Sequence, residues 1–218
     1  MIKKLLLVAA TNKRLERTVS TSPLTRDLVR RFVAGTTLDE AVAVTRQLNA
    51  QRIDVSLDLL GETVEDMRES EAASQAYIEA VRAIAEHVPG ATISVKLSQL
   101  GIGLDPAVCA GHLNNLMKEA AKVGVLVEID MEHSSVGPAE LEAFRSALGE
   151  YPDTRVAIQA AIRRSPLDLQ SFTEVKPRIR LVKGAFLETR DRALRRTCRT
   201  SCGGSYLQHQ PRSGAHSV

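Results

Sequence analysis

The sequence predicts an α/β fold in which parallel strands alternate with helices. Five short runs alternate polar with apolar residues, which is the pattern of a strand whose two faces meet different surroundings. Between these runs apolar residues recur at helical spacing, and one strand–helix unit takes roughly 25 to 40 residues. The polar members of the five runs are Asp54, Ser56 and Asp58; Ser94 and Lys96; Glu128 and Asp130; Arg155 and Gln159; and Arg178 and Arg180.

The polar strand faces favour a (β/α) barrel with a ligand in its lumen over an open doubly wound sheet. An open sheet covers both strand faces with helices, so its strands are almost continuously apolar. Here residues such as Val95, Ile129 and Ile158 alternate with charged ones. A complete eight-unit barrel takes about 250 residues. Because the chain has 218 residues, we expect an incomplete (β/α)8 TIM barrel of about five units.

The segments between the strands carry helix start signals. Thr37 begins a capping box that ends at Glu40. Asp105 and Ser165 each precede a proline, which is the pattern of an N-cap followed by proline at the first helical position. A shorter helix is expected to open at Gly137, and a longer amphipathic one follows residue 63. Each helix is expected to lay an apolar stripe on the strands.

Composition indicates a cytoplasmic protein without a metal site. The longest N-terminal apolar stretch, residues 5–10, is too short for a membrane span or for the apolar region of a signal peptide. Three cysteines do not make a disulfide framework, and Cys109 lies on an apolar helix stripe as a small hydrophobe. The spacing of the C-terminal cysteines and histidines fits no common zinc finger. These residues are Cys198, Cys202, His209 and His216.

The periodic pattern stops after Glu188. Residues 189–218 contain six arginines, one aspartate and no lysine, so the net charge of +3 of the chain comes from this tail. Its composition resembles translation out of frame in a GC-rich gene, and a basic tail that binds nucleic acid through phosphate contacts is the alternative. Three regions are predicted: an N-terminal helical segment at 1–36, a partial barrel at 37–188 and a disordered tail at 189–218.

The segment from Arg178 to Glu188 is the sharpest local motif, because cations and then a glycine end a strand, as in phosphate-binding barrel loops. With the ordered segments around Asp58, Lys96, Asp130 and Gln159, it resembles the proline dehydrogenase family of FAD-dependent barrels in its bacterial single-function form. The resemblance covers roughly residues 5–188. It implies hydride transfer from L-proline to FAD, which gives Δ1-pyrroline-5-carboxylate, and transfer of the electrons to a quinone through a peripheral contact with the inner face of the membrane.

By motif match, the resemblance assigns catalytic roles to Lys96, Asp130 and Arg180. Arg180 corresponds to a guanidinium that hydrogen-bonds the flavin ring near N5, Lys96 to a lysine that faces the proline carboxylate, and Asp130 to an acid beside the flavin. The residues alone leave open that Lys96 and Asp130 form only a structural ion pair in the lumen. The cofactor-binding set is Asp130, Met131, Gln159, Arg180, Val182, Lys183 and Gly184, and the substrate-binding set is Lys96 and Glu62.

The chain also departs from the family pattern. Ala161 and Phe186 stand where the family has tyrosine, and no Thr-His pair or arginine clamp follows Glu188. We therefore expect a sequence that is truncated or frame-shifted after about residue 188, with two exposed strand edges and doubtful FAD retention. The alternatives are a non-catalytic flavin-binding or partner-completed barrel fragment and a basic-tailed nucleic-acid binder, although the family reading predicts no nucleic-acid partner.

Overall fold

The computed structural model describes residues 33–61, 63–184, 186 and 188–194. Within this part of the chain, five helices alternate with five strands. In chain order the elements are α1 (Leu38–Ala50), β1 (Ser56–Asp58), α2 (Met67–His87), β2 (Thr92–Val95), α3 (Pro106–Val123), β3 (Val127–Ile129), α4 (Gly137–Glu150), β4 (Arg155–Gln159), α5 (Ser165–Gln170) and β5 (Arg178–Val182).

The five strands form one parallel sheet in the order β1-β2-β3-β4-β5. Each strand therefore pairs with the strand that precedes it in the chain, and the order never reverses. A doubly wound sheet reverses its strand order at the point where its ligand binds, whereas a barrel adds each strand to the same growing edge. The predicted partial (β/α) barrel is confirmed.

The core lies between the helices and the outer face of the sheet. α2 contributes Tyr77, Val81 and Ile84, which are completely buried, and they face apolar residues of β2 such as Val95. Burial of each such aliphatic side chain contributes about 1.5–3 kcal/mol. Further along the sheet, the ring of Phe144 in α4 packs edge-on against Phe172, with 5.4 Å between the ring centroids. Most of the predicted apolar strand faces are thus covered by helices.

The outer faces of the two edge strands are less covered in the described part of the chain. Ile53, just before β1, is 46% exposed, and Leu181 of β5 is 56% exposed. The helix that precedes β5 has only six residues, which is too short to cover the whole strand. The sheet therefore has two open strand edges among the described residues, as predicted, and such edges can pair with another chain.

The predicted helix starts are correct except at Ser165. Thr37 and Asp105 accept hydrogen bonds from backbone N–H groups of the first turns of α1 and α3. Glu40 closes the first of these caps by accepting from the N–H of Thr36 at 2.7 Å. Ser165, in contrast, is the first residue of α5 and does not cap it. Its buried hydroxyl donates to the carbonyl oxygen of Gln159 at 2.6 Å, so it fastens the end of β4 instead.

Residues 188–194 lie along the turn that follows β4. The N–H of Leu194 donates to the carbonyl of Ala161 at 2.7 Å, and Ile162 and Ala193 form an antiparallel bridge. The predicted helical segment up to residue 32 and the tail from residue 195, with its cysteines and histidines, lie outside the described residues. The division into three regions therefore stays a prediction.

Three further features concern Cys109, membrane spans and metal-binding groups. Cys109 is buried in α3, as predicted, and burial raises the pKa of its thiol to about 12. No helix in the described segments combines the length and apolarity needed to cross a membrane. The same segments bring together no group of three or more histidine, cysteine, aspartate or glutamate side chains that could hold a metal ion.

Candidate active site on the lumen face of the sheet

A row of alternating charges crosses the inner face of the sheet at the carboxyl ends of the strands. Asp58 ends β1, Lys96 follows β2, Asp130 follows β3, and Arg180 lies in β5. The ammonium of Lys96 binds the Asp58 carboxylate and lies 3.8 Å from Oδ2 of Asp130, which in turn binds the guanidinium of Arg180. We call these four residues the lumen cluster.

Arg180 reaches Asp130 across the intervening strand β4. The residue of β4 that is in register with Arg180 is Ala157. By strand alternation, Ala157 lies on the same face as Arg155 and Gln159. Because its side chain is a single methyl group, the guanidinium can pass over β4 to Asp130. A larger residue at position 157 would occupy the space that the arginine crosses.

Asp130 is surrounded by donors from β2, the residue after β2, and β5. Besides Lys96 and Arg180, the hydroxyl of Ser94 donates to its Oδ1 at 2.7 Å. The Asp130 side chain is only 15% exposed, whereas that of Arg180 is 43% exposed. Half-exposed ion pairs contribute only about 0–1 kcal/mol to stability. A cluster of this kind therefore adds little to folding, but it fixes the positions of four charges on one face of the sheet.

A second acidic group, Glu128, lies in β3 two residues before Asp130 and on the same strand face. Its Oε1 is 2.8 Å from Nε of Arg180, but the contact is an ion pair outside hydrogen-bond geometry. Burial raises the pKa of the Glu128 carboxyl, while the charge of Arg180 opposes that shift. Arg155 is in register with Glu128, and its buried Nε has no hydrogen-bond partner. Arg180 is thus held between two carboxylates.

Gln159 and Gly184 form the other wall of the site. Nε2 of Gln159 donates to the carbonyls of Met131 at 2.8 Å and Glu132 at 2.6 Å. Gly184 has φ +99°, and a Cβ there would lie 2.8 Å from Oε1 of Gln159. A side chain at this position would be strained and would displace the amide. The glycine is therefore required for the backbone after β5 to pack against Gln159.

Glu140 is a buried carboxyl at the start of α4. It is 1% exposed, and both of its carboxylate oxygens are 3.3 Å from the N–H of Glu132. Burial raises the pKa of Glu140 to about 8; the negative charges of Glu132 and Asp130 add to this rise, and the hydrogen bond from Glu132 opposes it. The pKa of this carboxyl is thus far above that of an exposed glutamate.

Comparison with known proteins identifies the family. The model of the family described as proline dehydrogenase matches residues 41–197, which is well over half of the chain. The chain belongs to the proline dehydrogenase family.

Individual relatives agree with this assignment. Proline dehydrogenase 1 of Bacillus subtilis (strain 168) is 32% identical over 189 residues, which cover 87% of this chain and 62% of that protein. Proline dehydrogenase of Deinococcus radiodurans is also 32% identical, over 169 residues that cover 74% of this chain and 54% of the relative. The chain thus spans about three-fifths or less of the length of these curated relatives.

Solved structures share the fold. Proline utilization A (PutA) from Bdellovibrio bacteriovorus, inactivated by N-propargylglycine, superposes with a TM-score of 0.67 at 25% identity; the match covers 74% of this chain and 20% of that one. PutA from Corynebacterium freiburgense superposes with a TM-score of 0.64 at 20% identity, over 78% of this chain and 19% of that one. The second match shows the fold alone.

The structure brings together most of the residues that the resemblance to proline dehydrogenases selected. Lys96, Asp130 and Arg180 belong to one cluster, and Gln159 contacts Gly184 directly. The carbonyls of Val182 and Lys183 accept from the backbone of the turn after β4, at 2.7 and 3.0 Å. Met131 contributes its carbonyl to Gln159. Glu62 lies outside the described residues, and the roles of all these residues stay predictions.

Several residues of the site were not selected as site residues from the sequence. Asp58 and Ser94 are on the polar faces of their strands, so the alternation itself could have added them. Glu188 accepts from the N–H and hydroxyl of Ser134, both at 2.6 Å. Although its desolvation acts in the opposite direction, these hydrogen bonds and His133 lower the pKa of Glu188. This contact joins segments that are far apart in the sequence, and local patterns could not indicate it.

Phe186, which stands where the resemblance predicts tyrosine, makes a ring contact. The Phe186 ring meets the His133 ring edge-on, with 6.5 Å between centroids. Ala161, the other departure, has its Cβ 3.3 Å from the position that a Cβ of Gly184 would take. The wall beside Gly184 is therefore formed by a methyl group where the family has an aromatic ring.

A second polar cluster lies between α2 and α3, away from the lumen. Nδ1 of His112 is 3.1 Å from the Ser70 hydroxyl, and its Nε2 is 3.0 Å from the Glu71 carboxylate. We call these three residues the interhelix cluster. Ser70, His112 and Glu71 contact one another in the order of the nucleophile, base and acid of a catalytic triad. However, Ser70 is completely buried, and a Cβ at Gly101 would lie 2.7 Å from its Oγ, so no substrate can reach the hydroxyl.

Proposed function

We propose that this chain contributes the first five units of a site that oxidises L-proline to Δ1-pyrroline-5-carboxylate, with FAD as hydride acceptor and a quinone as the final electron acceptor. The observation that carries the proposal is the lumen cluster, because it sets two cations and two carboxylates on one sheet face in a member of the proline dehydrogenase family. A quinone acceptor would require a peripheral contact with the membrane.

The residues at the end of β5 fit a flavin. Gly184 has no room for a side chain, so the backbone of residues 182–184 can approach a ligand closely. The Arg180 side chain, on the same strand, is 43% exposed and carries five N–H donors. Both hydrogens of the Gln159 amide are used by backbone carbonyls, which leaves its carbonyl oxygen to accept from a ring N–H. Met131, Val182 and Lys183 complete the residues that would hold FAD.

FAD would supply the redox chemistry of the reaction, since it accepts the hydride when bound. The chain's own residues would position the substrate and the flavin and polarise the reacting groups. Arg180, fixed between Asp130 and Glu128, would direct positive charge at the flavin ring, where negative charge develops during reduction. Because its two carboxylate partners hold the guanidinium in place, little reorganisation would be needed during the reaction.

Lys96 and Asp130 would bind the two charged groups of proline. The Lys96 side chain is 20% exposed and has three N–H donors, so it can bind a carboxylate while it keeps its contact with Asp58. Asp130 would face the ring nitrogen. Glu62, which follows the β1 exit loop, would assist substrate binding as the family resemblance predicts. The lumen cluster thus offers complementary charge to an amino acid zwitterion.

The test is a chimera in which residues 1–188 of this chain continue into the C-terminal part of Bacillus subtilis proline dehydrogenase 1. We expect the chimera to purify with FAD and its flavin absorbance to be bleached by L-proline without oxygen. A chimera that retains FAD but is not bleached would overturn the proposal in favour of a non-catalytic flavin-binding fragment. A folded chimera without FAD would overturn it outright. The unmodified chain, measured in parallel, shows how much of the site it forms alone.

A further inference from the structure

The backbone N–H of Lys96 has an unusual partner. Lys96 lies one residue beyond β2, where the backbone hydrogen bonds of the strand end. Its N–H donates to the hydroxyl of Tyr77, a residue of α2, at 3.2 Å. Tyr77 is completely buried, and burial raises the pKa of its hydroxyl, so the group keeps its proton. The hydroxyl therefore acts as acceptor and donor at once.

The proton of the Tyr77 hydroxyl fixes Gln99. The hydroxyl donates to Oε1 of Gln99 at 2.6 Å, and this contact determines the orientation of the amide. Nε2 of Gln99 then points to the loop after β1, where it donates to the carbonyl of Leu59 at 3.2 Å. Gln99 is 2% exposed, so these hydrogen bonds form away from competing water. Tyr77 thus connects the backbone of β2 to the exit of β1.

Most of the described part of the loop after β1 is exposed. Leu60 is 64% exposed, and a cavity of about 300 Å³ is lined by residues 59–61 and 63–65 together with Glu69 and Ala73 of α2. At Gly61 the backbone comes so close to Gln99 that a Cβ would lie 2.6 Å from Nε2. The amide of Gln99 therefore anchors this loop at Leu59, directly after Asp58.

We propose that Tyr77 and Gln99 are positioning residues of the active site, which hold the Lys96 backbone and the β1 exit loop in one fixed relation. The inference rests on the proposed function for its catalytic consequence, but its structural part does not. In the proposed site Lys96 binds substrate, and the loop that Gln99 holds begins directly after Asp58, the ion-pair partner of Lys96. One buried hydroxyl and one amide set the distance between the segments that carry Asp58 and Lys96.

The experiment is hydrogen exchange of the full chain, followed by mass spectrometry on peptides covering residues 56–61 and 95–99. Tyr77→Phe removes both the acceptor of the Lys96 N–H and the donor to Gln99. We expect exchange in both peptides to rise about threefold to tenfold, the range for loss of one intramolecular hydrogen bond. Tyr151→Phe is the matched control, because it removes a hydroxyl bonded to Asn114 in the helix layer. It should change neither peptide.

Two further variants keep the inference testable if Tyr77→Phe fails to fold. Gln99→Glu keeps an acceptor for the Tyr77 hydroxyl but cannot donate to Leu59, so only the peptide of residues 56–61 should exchange faster. Gly61→Ala should have the same local effect by displacing the Gln99 amide. Unchanged exchange of that peptide in these variants, or equal loosening by Tyr151→Phe, would overturn the inference.

The catalytic consequence is measured in the chimera described above. Tyr77→Phe should raise KM for proline more than it lowers kcat, since Lys96 is displaced rather than lost. If the variants show the expected faster exchange but the parent chimera is inactive, the proposed function is overturned and the positioning network still stands. Altered exchange with an unchanged KM would show that the network is structural only.

Discussion

The lumen cluster and the interhelix cluster show that the arrangement of polar groups does not by itself indicate chemistry. The interhelix cluster has the sequence of contacts of a catalytic triad, with distances of 3.1 and 3.0 Å. Its serine, however, is completely buried. The lumen cluster does not have the contacts of a catalytic triad. Its Arg180 and Lys96 side chains, however, are partly exposed, so a ligand can reach them. Access decides which of the two can act on a substrate.

The largest expected difference between the clusters concerns Arg180. In the chimera, Arg180→Met should lower the rate of flavin reduction by proline about a hundredfold or more, the scale of losing one electrostatic stabiliser. Stopped-flow absorbance measures this rate directly. The control is Arg178→Met, because Arg178 lies on the same strand face and makes only an exposed pair with Asp153 at 3.5 Å. Equal rates in the two variants would contradict a role for Arg180 at the flavin.

A smaller effect is expected from Lys96→Ala. Loss of one charge-assisted hydrogen bond should weaken binding of the proline carboxylate by about 1.5–3 kcal/mol. The measurement is the dissociation constant of cyclopentanecarboxylate, which has a five-membered ring and a carboxylate but no amine. Lys122→Ala, which removes only a surface pair with Glu119, should leave the constant unchanged. An affinity within twofold of the parent would mean that Lys96 is a structural partner of Asp58 and Asp130.

A substitution in the interhelix cluster should lower the stability of the chain and leave its activity unchanged. Ser70→Ala removes a buried hydroxyl from His112, and a buried polar group left without its partner costs about 1–3 kcal/mol. Urea unfolding of the full chain measures this loss. Ser74→Ala, one turn later on the buried face of α2, removes a hydroxyl outside the cluster. Covalent labelling of Ser70 by a fluorophosphonate would show that the serine is accessible after all.

The last expected effect is a change in the pH dependence of stability at Glu140. Its pKa is 4.5 in its ordinary state and about 8 in the folded protein. Between these values the folded chain holds one more proton than the unfolded chain. Stability should therefore fall as pH rises through this window, by up to about 1.4 kcal/mol per pH unit.

Glu140→Gln should reduce this slope, because glutamine keeps an acceptor for the Glu132 N–H without titrating. Urea midpoints at pH 5.5 and pH 7.5 measure the difference. Glu142→Gln is the control, since Glu142 lies on the same helix with a 79% exposed side chain. An identical slope in the Glu140 variant and the parent would contradict the raised pKa of Glu140 in the folded chain.

Much of the fold could be predicted because strand alternation and helix caps are local. The polar faces of all five strands follow from the spacing of residues such as Lys96 and Asp130, and the sheet places them together as that spacing requires. Ser165 shows the limit of local patterns. A serine before proline is typical of an N-cap, but here the hydroxyl is used by a carbonyl of β4.

The remaining parts of the site depend on contacts between distant segments. Tyr77 lies on an apolar helix stripe, so its position in the sequence has the pattern of a core residue and does not indicate the hydrogen bonds of its hydroxyl. Ser134 and Glu188 form two hydrogen bonds across 54 positions. No local pattern distinguishes such a serine or glutamate from one on the surface, because the partner is defined only when the sheet has formed.

The sequential order of the sheet also has a consequence for synthesis on the ribosome. Each strand pairs with the one before it, so every unit that emerges finds its template already in place. Contacts between neighbouring units close moderate loops, which costs less entropy than joining the two ends of the chain. Folding can therefore proceed from the N-terminal units onward while translation continues. During that time the newest strand is the exposed one, and until the next strand arrives its free edge can pair with another chain.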